Sequence, residues 1–218
     1  MFTLDYILDK YKLEVKPVID IPNVTRESLT TLLHELDFRV GAEIGVQEGI
    51  YSEILCKNNP QMKLFGVDPW LTYVTHIGED GPKSPDNKSS QEMCDKFYEE
   101  TKVRMAPYNF EIIKESSMDA VKRFEDESLD FIYIDANHEY SHVMEDLTEW
   151  HKKLRKGGII SGHDYYYIKE PRSLMHVKTA VNAYVKLNKI KPLIIWGAQE
   201  RKPKILRDKR RSWSWVKQ

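Results

Sequence analysis

Residues 130–140, Asp-Phe-Ile-Tyr-Ile-Asp-Ala-Asn-His-Glu-Tyr, constrain the fold more than any other stretch. Phe131, Ile132, Tyr133 and Ile134 form an apolar run without polar alternation. That is the pattern of a strand covered on both faces, as a central parallel strand is. Asp135, Asn137 and His138 follow at its carboxyl end. Ligands in open α/β sheets bind just outside strand carboxyl ends, so position alone makes this triplet a candidate site.

The rest of the chain supplies partners for such a strand. Residues 1–38 read as a helical lead-in, with Thr25 as N-cap of a helix that carries Leu29, Leu32, Leu33 and Leu36 on one side and packs across the sheet edge or over the ligand. Residues 39–218 read as the main domain. Its first unit is a strand ending near Glu43, a turn bearing Gly45 and Gly49, and a helix to about Lys57. Two glycines in such a turn either let a ligand approach the backbone or serve tight packing alone, and the pattern by itself does not choose. A second strand ends at Asp68, about twenty residues past the glycine turn, where nucleoside-binding folds place an acid on the ribose hydroxyls. A turn cap ahead of Pro69 is the competing role, and the spacing favours ribose.

Residues 71–90 lose periodicity and gather Gly78, Gly81, Pro82, Pro85 and Asn87, the signature of a long loop able to close over a site. A helix over residues 91–105 and a third strand from Phe110 follow. At that strand's end Ser116 and Ser117 could meet a purine edge, although both also suit helix capping. Val143, Leu147, Trp150 and Leu154 mark an amphipathic helix that Gly157 and Gly158 are expected to end. The fifth strand, residues 159–162, delivers His163, Asp164 and Tyr165, and a helix bearing Val177, Val181 and Tyr184 comes next. Two last strands, residues 191–196 and 213–216, have no clear helix between them and should pair antiparallel. The fold class is therefore α/β: a Rossmann-like, seven-stranded, mostly parallel sheet with a final antiparallel pair and helices on both faces.

At 218 residues and a formal net charge of −1, the chain suits one full-sized domain and carries no global field directed at nucleic acid or a membrane. Arg201, Lys202, Lys204, Arg207, Lys209, Arg210, Arg211 and Lys217, against Glu200 and Asp208, leave the tail about six charges positive. A solvated segment accounts for it better than a polyanion contact. No apolar run is long enough to span a bilayer and the amino terminus does not resemble a signal peptide, so a cytoplasmic location is expected. Cys56 and Cys94 lack metal-type spacing and read as bystander thiols.

Five successive strands thus end in polar residues: Glu43; Asp68; Ser116 and Ser117; Asp135 with His138; His163 with Asp164. The first three ends suit an adenosine-like ligand. The last two bring carboxylates and imidazoles that could gather around a hard cation, with Asp135 and Asp164 as the natural pair.

Glu43-Ile-Gly45 with Gly49, Gly66-Val-Asp68-Pro-Trp, Asp135-Ala-Asn-His138-Glu-Tyr140 with Asp146 and Trp150, and Gly157-Gly-Ile-Ile-Ser-Gly-His163-Asp164-Tyr165 together resemble the class I S-adenosylmethionine-dependent methyltransferases. The closest branch is the metal-dependent sugar and macrolide O-methyltransferases, and the resemblance covers roughly residues 40–216. It implies that Glu43 and Gly45 lie against the methionine part of S-adenosylmethionine, Asp68 on the ribose and Ser117 near the adenine, with Gly49 and Asp135 also at the cofactor. It also implies Mg²⁺ held by Asp135 and Asp164 with His163, and His138 as general base. His163 departs from relatives that place an oxygen ligand there. The implied acceptor is a small hydroxylated molecule, and family members often associate into homo-oligomers.

The chemistry is coherent, because a cation stabilises a developing oxyanion and an imidazole accepts a proton near neutrality. Capping of the next helix or pairing with Glu139 is the competing role for His138. A nicotinamide-dependent oxidoreductase would share the glycine turn and Asp68 but would not need the acids at the fourth and fifth strand ends. A metal-dependent oxygenase-like relative on the same fold is a further alternative, but no iron-type two-histidine, one-carboxylate triad is clearly better than the Mg²⁺ arrangement. A non-catalytic module would keep only the cofactor pocket.

Overall fold

The computed structural model describes residues 2–72, 90–168, 174–198, 203–205, 208 and 210–218. In chain order these form α1 (Thr3–Lys10), β1 (Val18–Ile21), α2 (Arg26–Glu35), β2 (Val40–Ile44), α3 (Ile50–Asn58), β3 (Lys63–Val67), α4 (Gln91–Met105), β4 (Phe110–Ile113) and α5 (Ser117–Ala120). A 3₁₀ turn (Val121–Arg123) leads to β5 (Leu129–Ile134), α6 (Tyr140–Lys153), β6 (Leu154–Gly162), α7 (Val177–Leu187), β7 (Leu193–Trp196) and β8 (Ser212–Val216).

The strands build one sheet in the order β1-β7-β8-β6-β5-β2-β3-β4. Only β8 runs against its neighbours, pairing antiparallel with both β6 and β7. From β2 the chain steps outward to β3 and β4, then returns to place β5 on the other side of β2. A crevice opens at the carboxyl ends where the winding reverses.

The apolar run of β5 serves both layers. Phe131 and Tyr133 join Leu29, Leu32, Leu33 and Leu55 on the α2–α3 side. Ile132 and Ile134 join Val143, Leu147 and Trp150 on the α6–α7 side. Neither face meets water, which is why the run has no polar alternation.

The structure departs from the sequence reading in three places. The lead-in is not wholly helical: Val18–Ile21 pairs in parallel with β7 and makes an eighth strand at the sheet edge. It is short and bracketed by Pro17 and Pro22, which hides it from periodicity. Gly157 and Gly158 do not end α6, because Leu154 already has extended backbone (ψ 130°) and β6 begins there. The basic tail is not simply solvated. Arg211 is buried with an ion pair to Asp20, and Lys217 Nζ donates to the carbonyls of His151 (3.2 Å) and Leu154 (2.7 Å). Arg201, Lys202, Arg207 and Lys209 lie outside the described residues, as does most of the expected lid, residues 73–89.

Candidate active site

Two groups of side chains meet at the crevice. The first surrounds the turn between β2 and α3. Gly45 has φ +91°, and a Cβ there would stand 2.2 Å from the carbonyl oxygen of Asp135. Only glycine lets this turn lie against the end of β5. Gly49, at φ +73°, enters α3 from the left-handed region as its N-cap. Asp68 holds the turn from β3: Oδ2 accepts from the backbone N–H of Val46 (3.0 Å) and Gln47 (2.9 Å), and Oδ1 from that of Trp70 (2.7 Å). Burial pushes the Asp68 carboxyl up against the pull of those donors. Trp70 Nε1 and Thr101 Oγ1 both donate to the Gln47 carbonyl, at 2.8 and 2.9 Å.

Glu43 lies beneath the turn at 2% exposure, and the Ser52 hydroxyl donates to its Oε2. Burial pushes its carboxyl up to about 8, because one neutral donor does not replace lost water.

The second group comes from the ends of β5 and β6. Asp135 follows β5, with its N–H donating to Ile44 O at 2.8 Å. The Asn137 side chain accepts from the Glu139 N–H (2.8 Å), a local turn that sets His138 ahead of α6. The His138 Nε2 atom lies 3.2 Å from Asp164 Oδ2 and 3.5 Å from Asp135 Oδ1. His163 Nδ1 lies 3.5 Å from the same Asp164 oxygen and 3.7 Å from Asp135 Oδ2.

Two carboxylates and two imidazoles therefore interleave. Burial raises the Asp164 carboxyl, but the His163 imidazole, with charge from His138 and Arg210, outweighs it and holds the group below its ordinary value. Asp164 has a left-handed backbone (φ +58°), a conformation that Asp tolerates better than most residues. Among the described residues its buried Oδ1 has no hydrogen-bond partner; Arg210 Nε stands 4.0 Å away. One ligand atom each from Asp135, His138 and Asp164 lies within 4.8 Å of the others. His163 flanks that trio, so the imidazole nearest both acids is the one expected to act as base.

Ser117 bonds to neither group. Its hydroxyl donates to buried Asp146 and accepts from Trp150 Nε1 (2.8 Å), which ties α5 to α6. Burial pushes the Asp146 carboxyl up to about 7. Ser116 caps α5, accepting from the Asp119 N–H at 3.2 Å.

Arg26 carries no signal in the sequence. As the first residue of α2 it resembles any charged residue on a helix, yet its Nη1 reaches within 3.6 Å of Asp135 Oδ2.

A family model described as a methyltransferase domain matches residues 42–165, from the glycine-turn strand to the residue after Asp164. The chain belongs to that family. The matched span contains both halves of the methyltransferase crevice but not Arg26. Among solved structures, the O-methyltransferase TomG from Streptomyces achromogenes, involved in tomaymycin synthesis and determined with SAM, is 16% identical. The alignment covers 88% of this chain and 80% of that one, with a TM-score of 0.58. The Bacillus cereus O-methyltransferase in complex with SAH is 15% identical over 99% of this chain and 90% of that one, TM-score 0.58. An rRNA methylase from Streptococcus thermophilus is 11% identical over 88% and 93%, TM-score 0.56. At such identities the likeness is one of fold. No curated protein matches the sequence. Among the described residues, no helix is long and apolar enough to cross a membrane.

Proposed function

We propose that this methyltransferase moves a methyl group from S-adenosylmethionine to a hydroxyl of a small molecule, assisted by a divalent cation such as Mg²⁺. One observation carries the reading. The glycine turn that would receive a nucleoside cofactor touches the backbone of Asp135, the residue that begins the acid and imidazole cluster. A methyl donor and a polarised hydroxyl would therefore meet without a gap to bridge.

The donor set fits a divalent cation. It combines two carboxylates with an imidazole, and one buried Asp164 oxygen has no hydrogen-bond partner among the described residues. Asp135 and Asp164 would hold the ion, with His163 beside them. When bound, the sulfonium supplies an electrophilic methyl and the cation stabilises the oxyanion that develops on the acceptor. Glu43, Gly45, Gly49 and Asp68 are the cofactor side, with Ser117 bordering the adenine end through its place after β4. His138 would take the acceptor's proton at Nε2.

The geometry favours a second role for His138, since the same Nε2 belongs to the trio that could ligate the cation. His138→Gln separates the two. A base leaves Mn²⁺ affinity intact while kcat falls; a ligand loses Mn²⁺ affinity in parallel. For the function itself, isothermal titration with S-adenosylhomocysteine and with NAD is decisive. Binding of S-adenosylhomocysteine alone is expected, and binding of NAD alone would sink the proposal. Cofactor binding without transfer to any of a broad set of hydroxylated acceptors would leave a non-catalytic module.

A further inference from the structure

Arg26 is a half-buried cation whose guanidinium meets the buried Tyr133 hydroxyl with one donor and keeps the others for further partners. Its side chain is 33% exposed, and its one ion pair among the described residues, to Asp135, is 3.6 Å long, beyond an ordinary hydrogen bond. A guanidinium offers five N–H donors in a planar fork. The Tyr51 ring holds that fork from α3, with the guanidinium carbon 4.7 Å from the ring centroid. The Tyr51 hydroxyl also donates to the Arg26 carbonyl (2.9 Å), so α3 fixes both ends of the residue. The side chain is thus aimed rather than loose.

Its surroundings define what the fork would take. Asp135 is both its ion-pair partner and the residue whose carbonyl abuts the Gly45 turn, so Arg26 borders the cofactor side of the crevice. Glu43 lies on the same side, buried and with its carboxyl raised to about 8. An amino-acid zwitterion, with an ammonium for the Asp135 carboxylate and a carboxylate for the guanidinium, complements this arrangement. Arginine is suited to the carboxylate because its parallel N–H bonds match the two oxygens.

We propose that Arg26 binds the α-carboxylate of the cofactor's methionyl tail, an inference that rests on S-adenosylmethionine being the cofactor. The N-terminal segment then completes the cofactor site from outside the family-matched residues.

The test compares S-adenosylhomocysteine with 5′-methylthioadenosine, which keeps the nucleoside and sulfur but lacks the amino-acid tail. Titrations use the full-length wild type, Arg26→Met and Arg26→Lys. Arg26→Met should weaken S-adenosylhomocysteine by about 10- to 100-fold while changing 5′-methylthioadenosine by less than about twofold. Arg26→Lys, which keeps the charge without the fork, should fall between and guards against a methionine variant that folds poorly. Equal losses for both ligands would assign Arg26 a structural role, and unchanged affinity for both would also overturn the inference while leaving the cofactor reading intact. If the wild type binds neither nucleoside, the cofactor reading falls first and takes this one with it.

Discussion

Glu43 and Asp164 are both 2% exposed and stand at the ends of neighbouring parts of one sheet, yet burial acts on them with opposite results. Glu43 has a serine hydroxyl as donor and its carboxyl rises to about 8. Asp164 faces two imidazoles and a more distant guanidinium, and its carboxyl is held down. Depth alone does not fix charge. The donors that replace water decide whether a buried acid stays ionised, so one half of the crevice keeps a proton and the other keeps a negative charge.

The largest test of this contrast is Asp164→Asn. Asparagine tolerates the left-handed backbone, so the fold should survive. If the ionised acid serves the chemistry, methyl transfer falls about a thousandfold while S-adenosylhomocysteine affinity changes less than about threefold. Equal losses in both would mean that the halves are not functionally distinct.

Next in size is Gly45→Ala, expected to cost about 3 kcal/mol in urea unfolding, since the new Cβ meets backbone and the φ is unfavourable. An unchanged midpoint would show that the turn can withdraw from β5.

The pH response of Glu43 follows from its raised carboxyl. The stabilisation from keeping this proton is complete below the unfolded value near 4.5 and is lost as pH rises through about 8. Wild type should therefore lose roughly 4 kcal/mol relative to Glu43→Gln between pH 5 and pH 9, measured as the difference of two unfolding curves. Asp164 acts in the other direction, supplying stability above its unfolded value that is lost on acidification. A Glu43→Gln difference that does not vary with pH would erase the contrast.

The smallest effect belongs to Ser117→Ala. It removes the hydroxyl between Asp146 and Trp150 and should cost about 1–2 kcal/mol of stability. A shift in S-adenosylhomocysteine affinity larger than that loss would instead place the hydroxyl on the cofactor.

Much of this was legible in the chain, for reasons that differ by residue. The unalternating run of β5 announces two covered faces, and the lack of a helical pattern in the sequence between the last two strands announces the antiparallel turn-back. Thr25 caps α2 through the Glu27 N–H (3.2 Å), as its residue type suggests. The convergence of His138 on Asp164 is less direct: 26 positions separate them, and only the pairing of β5 with β6 brings their ends together. Strand β1 is too short for periodicity to detect, and glycines 157 and 158 look alike whether they stop a helix or ride in a strand. Arg26 lies beyond sequence reading because its significance depends on Tyr51 and Asp135 together.

The Gly45 contact has one more consequence, for how this site can change under mutation. The atoms that exclude a side chain at position 45 are the carbonyl carbon and oxygen of residue 135 and the Cα of residue 136. Every amino acid carries those atoms, so no substitution at either neighbour can make room. Suppressors of a larger residue at 45 should be confined to reversion or to changes that shift a whole strand, and the position is closed to gradual repair.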